Sequence, residues 1–496
     1  MKIRKIEVCN FKGFRCNYLF DLNANCKNLL AYGENGSGKS SLYWALKLFL
    51  QSSVDADLSF SKTKNIFNPE DVEGYVKLTL DGGEEYIWSE SKKGALNKPE
   101  FIEAIKASGF IDYKSLLRTY FLPNGVGEST TDMFPLLNEL LSGVINNYTG
   151  NSFGEDWKRI NKNIPKRNSE RRLEILQKLI DNFNIGFSAK LTELIEQANK
   201  ILIEFDYQIE IDHLNFSEIY YDKSSHSVGD QFVEMKVMFQ SVAIAEHHLF
   251  LNEAKLSAIA ISIYFASLLL NPKTDLRILV LDDVLIGLDM SNRFPIIKML
   301  NELFGDFQIF LFTYDRAWFE IIQQYMPENN WKSIELYCDT SHGFEMPICV
   351  ENKHYLEKAK EFLSDGNIDY KASVVYVRSA FEHILKKYCA THNIPVRYRR
   401  KQRKYSSNDF WIAVTNINGL ISEDLKMRVE VHRTHILNPL CHDDPVLSVE
   451  AEIQNSIEII EELESALRDA DRDEKLNKAK KAFGGTEQLA EAISQG

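Results

Sequence analysis

The chain opens with apolar and polar residues in alternation, and several short apolar runs of strand length follow. The alternation at the amino terminus and the apolar runs at 26–32, 275–282 and 307–313 predict β-strands. Longer apolar patterns at 40–51 and 256–270 predict helices. The second of these is too short to span a bilayer comfortably, so we expect a buried helix. Strands that alternate with helices predict an α/β fold.

The segment 173–202, between the strands predicted at 26–32 and 275–282, has helical periodicity with one interruption. Apolar residues recur every three or four positions in two series, Leu173, Leu176, Leu179 and Phe183, then Leu191, Leu194, Ala198 and Leu202. The sequence "NIG" at 184–186 predicts a break between them, and hence a short helical hairpin. Such a hairpin suits an oligomer or partner contact, or simple core packing. Segments 205–213 and 231–240 are predicted to return as strands.

Beyond Pro347 the pattern is helical throughout. Helical periodicity runs over 352–365, 369–392, 408–418, 422–436 and 448–470. We therefore predict a separate all-α domain at the carboxyl end of the chain. The charged sequence "RDADRDEKLNKAKK" that follows is expected to be solvated or frayed.

Length and composition fit a multidomain protein without a membrane segment. The 496 residues have room for two or three domains, and 44% are hydrophobic. A net charge of −13 argues against wholesale coating of nucleic acid, although not against a local basic site. Seven scattered cysteines without a CxxC pair, and no signal-like apolar start, predict a cytoplasmic protein with no membrane partner and no cysteine-based zinc site. The predicted domains are an ATPase N-lobe at 1–130, a helical insertion at 131–204, an ATPase C-lobe at 205–346 and a helical domain at 347–496.

One motif predicts a nucleotide site. "GENGSGKS" fits the pattern G-x-x-x-x-G-K-[ST] in full, between a predicted strand and a predicted helix. Glycines let such a loop curl so that backbone N–H groups point inward, and the helix amino terminus adds positive partial charge. Lys39 is expected to reach the outer phosphates of ATP, and the Ser40 hydroxyl to bind Mg²⁺. The predicted nucleotide-binding residues of this loop are Gly33, Asn35, Gly36, Gly38, Lys39, Ser40 and Ser41.

Three further motifs accompany this loop in a fixed order. "NFKGF" precedes it, "LNEAK" at 251–255 opens the long apolar helix, and the strand at 275–282 ends in Asp282 and Asp283. Together the four motifs resemble those of SMC- and RecF-like ABC-type ATPase heads, over roughly residues 1–330. The signature motif of that family is L-S-G-G-Q or similar. Here Asn252 replaces the serine, and the middle glycines are absent.

The resemblance implies a role for each motif. Asp282 would provide a second contact to Mg²⁺. Asp283 stands where the family usually has the glutamate that polarises the attacking water, so the shorter side chain predicts slower hydrolysis or a bridging water. Asn252 is expected to cap its helix, and Tyr314 stands near the family's switch histidine. The resemblance further implies a homodimer or higher homo-oligomer, in which ATP is sandwiched between one copy's loop and Asn252 and Lys255 of another.

Several polar residues in the helical domain are of the types that cleave or bind RNA. The candidate catalytic residues are Arg378, Glu382, Arg428, His435 and His442. The first two are four apart on one helix face, and the next two are seven apart, which on a continuous α-helix also shares a face. The run "RYRRKQRK" at 397–404 adds a basic segment with an interleaved tyrosine, as RNA-binding loops have.

The R-x6-H pattern resembles HEPN domains, and the domain order resembles PrrC/RloC-type anticodon nucleases. This implies that a histidine moves the ribose hydroxyl proton while an arginine stabilises the phosphate charge. The implied function is an antiviral (phage) defence ATPase whose ATP state gates a toxic RNA-cleaving activity, directed at tRNA. Each candidate also has an ordinary structural explanation, such as a salt bridge, a polar contact or a helix cap. Two alternatives are an ATPase sensor or scaffold that holds a separate toxin or nuclease subunit, and a RecF-like DNA repair ATPase.

Overall fold

The computed structural model divides the chain into two compact units, Met1–Glu351 and Asn352–Gly496. The first unit extends beyond residue 346, where the sequence predicted the division, because Met346–Glu351 forms a strand of its main sheet. The structure describes residues 1–55, 57–69, 71–91, 98–119, 132–165, 170–229, 231–244, 246–285, 287–326, 330–339, 346–351, 355–364, 368–396, 406–437 and 450–482. At residues 291, 350, 351 and 471–482 it describes the backbone alone.

The first unit is built from strands and helices in alternation. Its described strands are β1 Ile3–Phe11, β2 Phe14–Asp21, β3 Asn28–Gly33, β4 Tyr75–Leu80, β5 Glu85–Ser89, β6 Gly109–Asp112, β7 Ile209–Ser217, β8 Tyr220–Asp222, β9 Ser227–Gly229, β10 Phe232–Phe239, β11 Val242–Ile244, β12 Ile278–Asp282, β13 Gln308–Thr313, β14 Trp331–Asp339 and β15 Met346–Glu351. Its described helices are α1 Lys39–Gln51, α2 Pro99–Ala107, α3 Tyr113–Leu117, α4 Phe134–Leu140, α5 Phe153–Asn163, α6 Glu170–Leu202, α7 His247–Phe250, α8 Glu253–Leu270, α9 Met290–Leu303 and α10 Arg316–Tyr325. The predicted returning strands at 205–213 and 231–240 correspond to β7 and β10.

Six strands form the main sheet, in the order β15-β14-β3-β13-β12-β6. Strands β14, β3, β13, β12 and β6 pair in parallel, and β15 pairs antiparallel with β14. The carboxyl ends of parallel strands lie at one edge of a sheet, where ligands of open α/β folds bind. This edge carries Gly33, Asp112 and Asp282. The predicted α/β fold is confirmed.

The main sheet is buried on both faces. On β12, Ile278 and Val280 belong to a core with α1 and the antiparallel sheet β2-β1-β4-β5, whereas Leu279 and Leu281 belong to a core with α6 and α8. Successive side chains of a strand point to opposite faces, so a strand covered on both sides is continuously apolar. Among the described helices, α8 is long and apolar enough to cross a membrane, yet 78% of that stretch is buried inside the fold. The buried helix expected from the sequence is therefore confirmed.

The predicted helical hairpin is wrong, because Glu170–Leu202 is one continuous helix of 33 residues, α6. The residues thought to break it make tertiary contacts instead. A Cβ at Gly186 would clash with the side-chain oxygen of Asn146, so glycine is needed for close approach of that loop. The buried Asn184 side chain donates to the carbonyl of Ile219 at 2.9 Å and accepts from its N–H at 3.2 Å.

The second unit is helical, as predicted. Its described helices are α11 Tyr355–Glu361, α12 Tyr370–Thr391, α13 Ser407–Thr415, α14 Glu423–His432 and α15 Glu450–Ala482. They enclose their own apolar core, in which Phe381 and Trp411 pack with ring centroids 5.6 Å apart. The backbone of α15 remains helical to Ala482, through the charged sequence that we expected to be solvated or frayed.

Candidate functional site

The phosphate-binding loop has the backbone that its glycines predict. Strand β3 ends at Gly33 and α1 begins at Lys39, with Asn35 exposed at the tip between them. Gly36 and Gly38 have φ angles of 86° and 100°, in the left-handed region that favours glycine. Gly38 is the N-cap of α1 and has no side chain, so the first N–H groups of the helix are left for an anion.

Two loop glycines are also required by close packing. A Cβ at Gly33 would clash with the hydroxyl oxygen of the buried Ser37. A Cβ at Gly38 would lie 3.1 Å from Cγ of Pro347 and 3.2 Å from Cε1 of Phe14. The loop is therefore shaped by its neighbours as well as by its own sequence.

The lysine of the loop is held inward at the head of α1. Lys39 is only 4% exposed, and its Nζ donates to the carbonyls of Gly33 at 2.5 Å and Glu34 at 3.1 Å. The same ammonium lies 3.7 Å from Oδ2 of Asp283. Three acceptors thus surround this nitrogen, and one of them is a carboxylate from a distant part of the chain.

Asp282 has the environment of a cation ligand. Its carboxyl group is buried, and Oδ1 has no hydrogen-bond partner in the described part of the chain. Burial, aided by the charges of Asp283 and Asp112, raises the pKa of Asp282 to about 6, while a hydrogen bond with Ser40 and the charge of Lys39 oppose this rise. An unpartnered carboxylate oxygen beside a hydroxyl fits Mg²⁺, which prefers oxygen ligands and usually takes one or two carboxylates plus substrate phosphates. Across the described residues no group of three or more His, Cys, Asp or Glu could hold a metal by itself.

Asp283 links the phosphate-binding loop to the end of β13. Its φ of 53° is in the left-handed region, which a non-glycine residue adopts when its surroundings hold it there. Its N–H donates to the carbonyl of Phe312 at 3.1 Å, and its Oδ1 accepts from the N–H of Tyr314 at 2.9 Å. Burial raises the pKa of Asp283 and the charge of Lys39 lowers it. Tyr314 therefore contributes its backbone N–H to the site, and its side chain is exposed.

The amino-terminal motif packs against the start of α1. The N–H of Gly13 donates to the Ser41 hydroxyl at 3.1 Å, so this predicted nucleotide ligand is already engaged by the protein. The turn before it is fixed by Asn10, whose side-chain oxygen accepts from Asn65 N at 3.2 Å and Asn68 Nδ2 at 2.9 Å. The "NFKGF" segment therefore supports the loop through its backbone.

The residues of the expected signature motif lie at the start of α8. Asn252 is the N-cap, as predicted, and its Oδ1 accepts from the N–H of Lys255 at 3.1 Å. The Lys255 ammonium lies over the rings of Tyr207 and Phe239, 5.4 Å and 5.5 Å from their centroids. The expected contact of Asn252 and Lys255 with ATP of another copy stays a prediction.

Two residues near this edge were not predicted from the sequence. Asp112 pairs in register with Asp282 across β6 and β12, and its Oδ1 caps α3 by accepting from the N–H of Ser115 at 2.7 Å. A signal existed, because "GFID" is apolar and is followed by an Asp-x-x-Ser cap pattern. Arg293, whose Nη1 donates to Asp315 at 2.6 Å, left no comparable signal in the sequence.

The pair expected on one face of α14 is not on a regular α-helix. Before His435 the helix gives way to a π-helical turn, Arg433–Leu437. A π turn contains more residues than an α turn, so the change shifts His435 away from the alignment with Arg428 that a regular α-helix would give. Arg428 donates to Asp424 at 2.8 Å and to Glu462 at 2.8 Å, and these hydrogen bonds raise its pKa. His435 is exposed.

The other helical candidates also differ from expectation. Glu382 pairs with Lys386 at 2.5 Å, and within the described ranges no ion pair joins it to Arg378. The basic run at 397–404 and His442 lie outside the described residues. The catalytic roles suggested for this domain therefore stay predictions.

Comparison with known proteins agrees with the loop geometry. Residues 5–215 match the family model of the AAA domain, a span that includes the whole phosphate-binding loop. No curated protein matches the chain. Many solved structures are similar, and three of them, each at 14% identity, are SMC heads. An SMC head bound to the C-winged helix domain of ScpA covers 71% of this chain and 99% of its own, with a TM-score of 0.37.

The other two are also SMC heads. The Smc head of Pyrococcus furiosus, with an extended coiled coil and bound to the C-terminal domain of ScpA, covers 73% of this chain and 98% of its own, with a TM-score of 0.42. The SMC head domain of Thermotoga maritima covers 71% of this chain and 100% of its own, with a TM-score of 0.34. The AAA domain match, the parallel sheet and the loop together show that the first unit has the fold of a P-loop ATPase domain.

Proposed function

We propose that this chain is an SMC/RecF-like ABC-type ATPase that hydrolyses ATP with Mg²⁺ at a site completed by a second copy. The observation that carries the proposal is the meeting of Lys39 and Asp283, 3.7 Å apart, although they are far apart in sequence. Asp282, with its unpartnered buried oxygen, lies directly beside them. A phosphate-binding loop and a strand-end carboxylate pair are the two elements that ATP hydrolysis requires.

Each residue has a defined task in this reaction. Backbone N–H groups at the start of α1 bind the phosphates, and Lys39 exchanges its contact with Asp283 for a phosphate oxygen. Ser40 and Asp282 would hold Mg²⁺, which when bound neutralises charge on the phosphates. Asp283 orients and deprotonates the attacking water, and its raised pKa favours proton acceptance. Asn252 of the second copy approaches the outer phosphate.

The proposal is tested by ATP turnover of the purified chain with Mg²⁺ and with chelator. Lys39→Ala removes the ammonium that would bind the phosphates, so turnover should fall at least about 100-fold. Lys47→Gln is the matched control, because Lys47 lies on the same helix over the ring of Trp44. Normal hydrolysis in Lys39→Ala, or equal loss in Lys47→Gln, would contradict the assignment.

We further propose that ATP turnover gates RNA cleavage by the helical unit, in a cytoplasmic antiviral system directed at tRNA. The support is the set of residue types in that unit, with Arg428 and His435 about two turns apart, and the resemblance described above. Cleavage of tRNA should occur with chelator present and disappear in Arg428→Ala and His435→Ala. Arg468→Ala, which removes an exposed cation of α15, is the control. If neither variant loses cleavage or phage protection, this proposal fails.

One observation favours a second candidate, in which the helical unit holds a separate toxin or nuclease subunit. The charges of Arg428 and Glu382 are compensated within the unit, by Asp424 and Glu462 and by Lys386 respectively. Compensated charges suit a stable docking surface better than a phosphate-binding site. The second candidate predicts co-purification with the product of an adjacent gene, together with no cleavage by this chain alone.

A further inference from the structure

Arg293, near the start of α9, joins two loops at the carboxyl edge of the main sheet. Its side chain is 12% exposed. Nη1 donates to Oδ2 of Asp315 at 2.6 Å, and Nε donates to the carbonyl of Leu288 at 3.0 Å. The guanidinium carbon lies 5.7 Å from the ring centroid of Trp318. One buried cation therefore fixes both the segment after β12 and the segment after β13.

The segment after β13 is the one that orients Asp283. Within it, the N–H of Tyr314 donates to Oδ1 of Asp283, and the next residue, Asp315, accepts from Arg293. Asp315 is further held because its Oδ1 caps α10 through Trp318 N at 3.1 Å and its own N–H donates to the Thr313 hydroxyl at 3.1 Å. A shift of Asp315 would therefore move the N–H that holds the Asp283 carboxylate.

We propose that Arg293 is a positioning residue for ATP hydrolysis. By bonding Asp315 and the Leu288 carbonyl together, it keeps the Tyr314 N–H on Asp283 and so keeps that carboxylate aimed at the attacking water. The inference rests on the proposed ATPase function. Because Asp283 occupies a left-handed conformation that its surroundings must maintain, its position depends on such neighbours more than that of an ordinary strand residue.

The same two strands carry a second arginine pair that serves as an internal control. Arg277 directly precedes β12 and pairs with Asp306, which precedes β13. Its side chain is 5% exposed, and its guanidinium lies 4.0 Å from the ring centroid of Phe307. Both pairs thus join buried arginine, aspartate and an aromatic ring. The pair of Arg277 lies at the amino edge of the sheet, away from the phosphate-binding loop.

The test compares steady-state ATP hydrolysis and nucleotide binding of Arg293→Gln, Arg293→Lys and Arg277→Gln with the unaltered chain. A misplacement of about 1 Å at a catalytic group can cost about 100-fold in rate, so kcat of Arg293→Gln should fall about 10- to 100-fold. KM and nucleotide affinity should change less than about threefold, because the phosphate-binding loop is untouched. Arg293→Lys should recover part of kcat, and Arg277→Gln should lower Tm with kcat retained.

Asp315→Asn tests the same contact if Arg293→Gln fails to fold, because asparagine still caps α10 while losing the charge. Unchanged kcat in Arg293→Gln or Asp315→Asn, or an equal fall in Arg277→Gln, overturns the inference. These results are distinct from failure of the proposed function, which would appear as no turnover in the unaltered chain or normal turnover in Lys39→Ala.

Discussion

The two units differ in how the spacing of residues along the sequence translates into neighbours in space. In the first unit, Lys39 and Asp283 come from distant segments and meet at one sheet edge, because parallel strands present their carboxyl ends together. In the second unit, Arg428 and His435 are close in sequence, yet the helix becomes a π-helical turn at Arg433 and Arg428 is held in ion pairs with Asp424 and Glu462. A motif tied to strand ends is therefore a stronger predictor of a site than spacing along an assumed helix.

The largest effect should come from the carboxylate that links the two strand ends. Asp283→Asn removes the group that would accept the proton, so ATP turnover should fall about 10²- to 10⁴-fold while nucleotide binding is kept. The change keeps side-chain size and one acceptor for the Tyr314 N–H. Asp306→Asn, at the opposite edge of the sheet, is the control and should retain turnover. If Asp283→Asn hydrolyses ATP at the normal rate, the motif at the strand ends is no better a predictor of a site than the spacing along the helix.

The central strands and helices of the first unit could be predicted, and the failures have identifiable causes. The strands β3, β12 and β13 were visible because both faces are buried, which makes them continuously apolar. Strand β6 has only four residues and escaped notice, and Asp112 was missed with it. The break expected at Gly186 was wrong because that glycine serves close packing, and local sequence does not reveal the segment that approaches it.

Those residues of the candidate site that belong to a sequence motif could be predicted. Lys39, Ser40 and Asp282 were found because a fixed local backbone or a strand end dictates where they lie. The roles of the Tyr314 N–H and of Arg293 depend on tertiary contacts, to which residue type gives no guide. In the helical unit, the residue types were visible in the sequence, but the ion pairs that engage Arg428 and Glu382 were not.

Alanine substitution of one glycine in each unit distinguishes the cost of backbone strain from the cost of close packing. Gly38→Ala combines a φ of 100° with close approaches to Pro347 and Phe14, and should cost about 2–6 kcal/mol of stability or loop distortion. Gly419→Ala in the helical unit has a φ of 76° and no atom within 4 Å of the new Cβ, so strain alone should cost about 1 kcal/mol. Thermal unfolding measures the loss of stability in each variant, and nucleotide binding measures distortion of the phosphate-binding loop. Equal effects would show that packing around the loop is unimportant.

Two histidines, the buried His247 in the first unit and the half-buried His432 in the second, should respond differently to pH. Burial, with a smaller effect of His248, lowers the pKa of His247 to about 4, and neither ring nitrogen has a partner in the described part of the chain. The unfolded chain therefore binds a proton at this histidine more readily than the folded chain does. The stability that neutral His247 contributes is present above about pH 6.5, and about 3 kcal/mol of it is lost as the pH falls toward 4.

Burial also lowers the pKa of His432, although its Nδ1 has a hydrogen-bond partner, the Ser456 hydroxyl at 2.8 Å. In urea unfolding between pH 4 and 7, His247→Phe should therefore reduce the loss of stability at acid pH by about 3 kcal/mol, and His432→Phe should reduce it less. The reverse order would contradict this difference between the units.

A small effect, distinguished by its sign, tests the continuous helix α6. Helix propensity alone predicts that Gly186→Ala stabilises by up to about 1 kcal/mol. The clash with Asn146 instead predicts a loss of about 1–2 kcal/mol, because the buried loop must shift. Urea unfolding distinguishes the two by sign. A stabilised variant would show that Gly186 is free of close packing.

The central claim is that ATP turnover needs two copies, one supplying Lys39 and the other Asn252. The most direct measurement mixes Lys39→Ala protein with Asn252→Asp protein, since aspartate still caps α8 but repels a phosphate. Each variant alone should be nearly inactive. The account predicts that the mixture regains turnover well above either variant, because one composite site in each mixed pair is intact. A mixture no more active than its components, despite demonstrated subunit exchange, would contradict it.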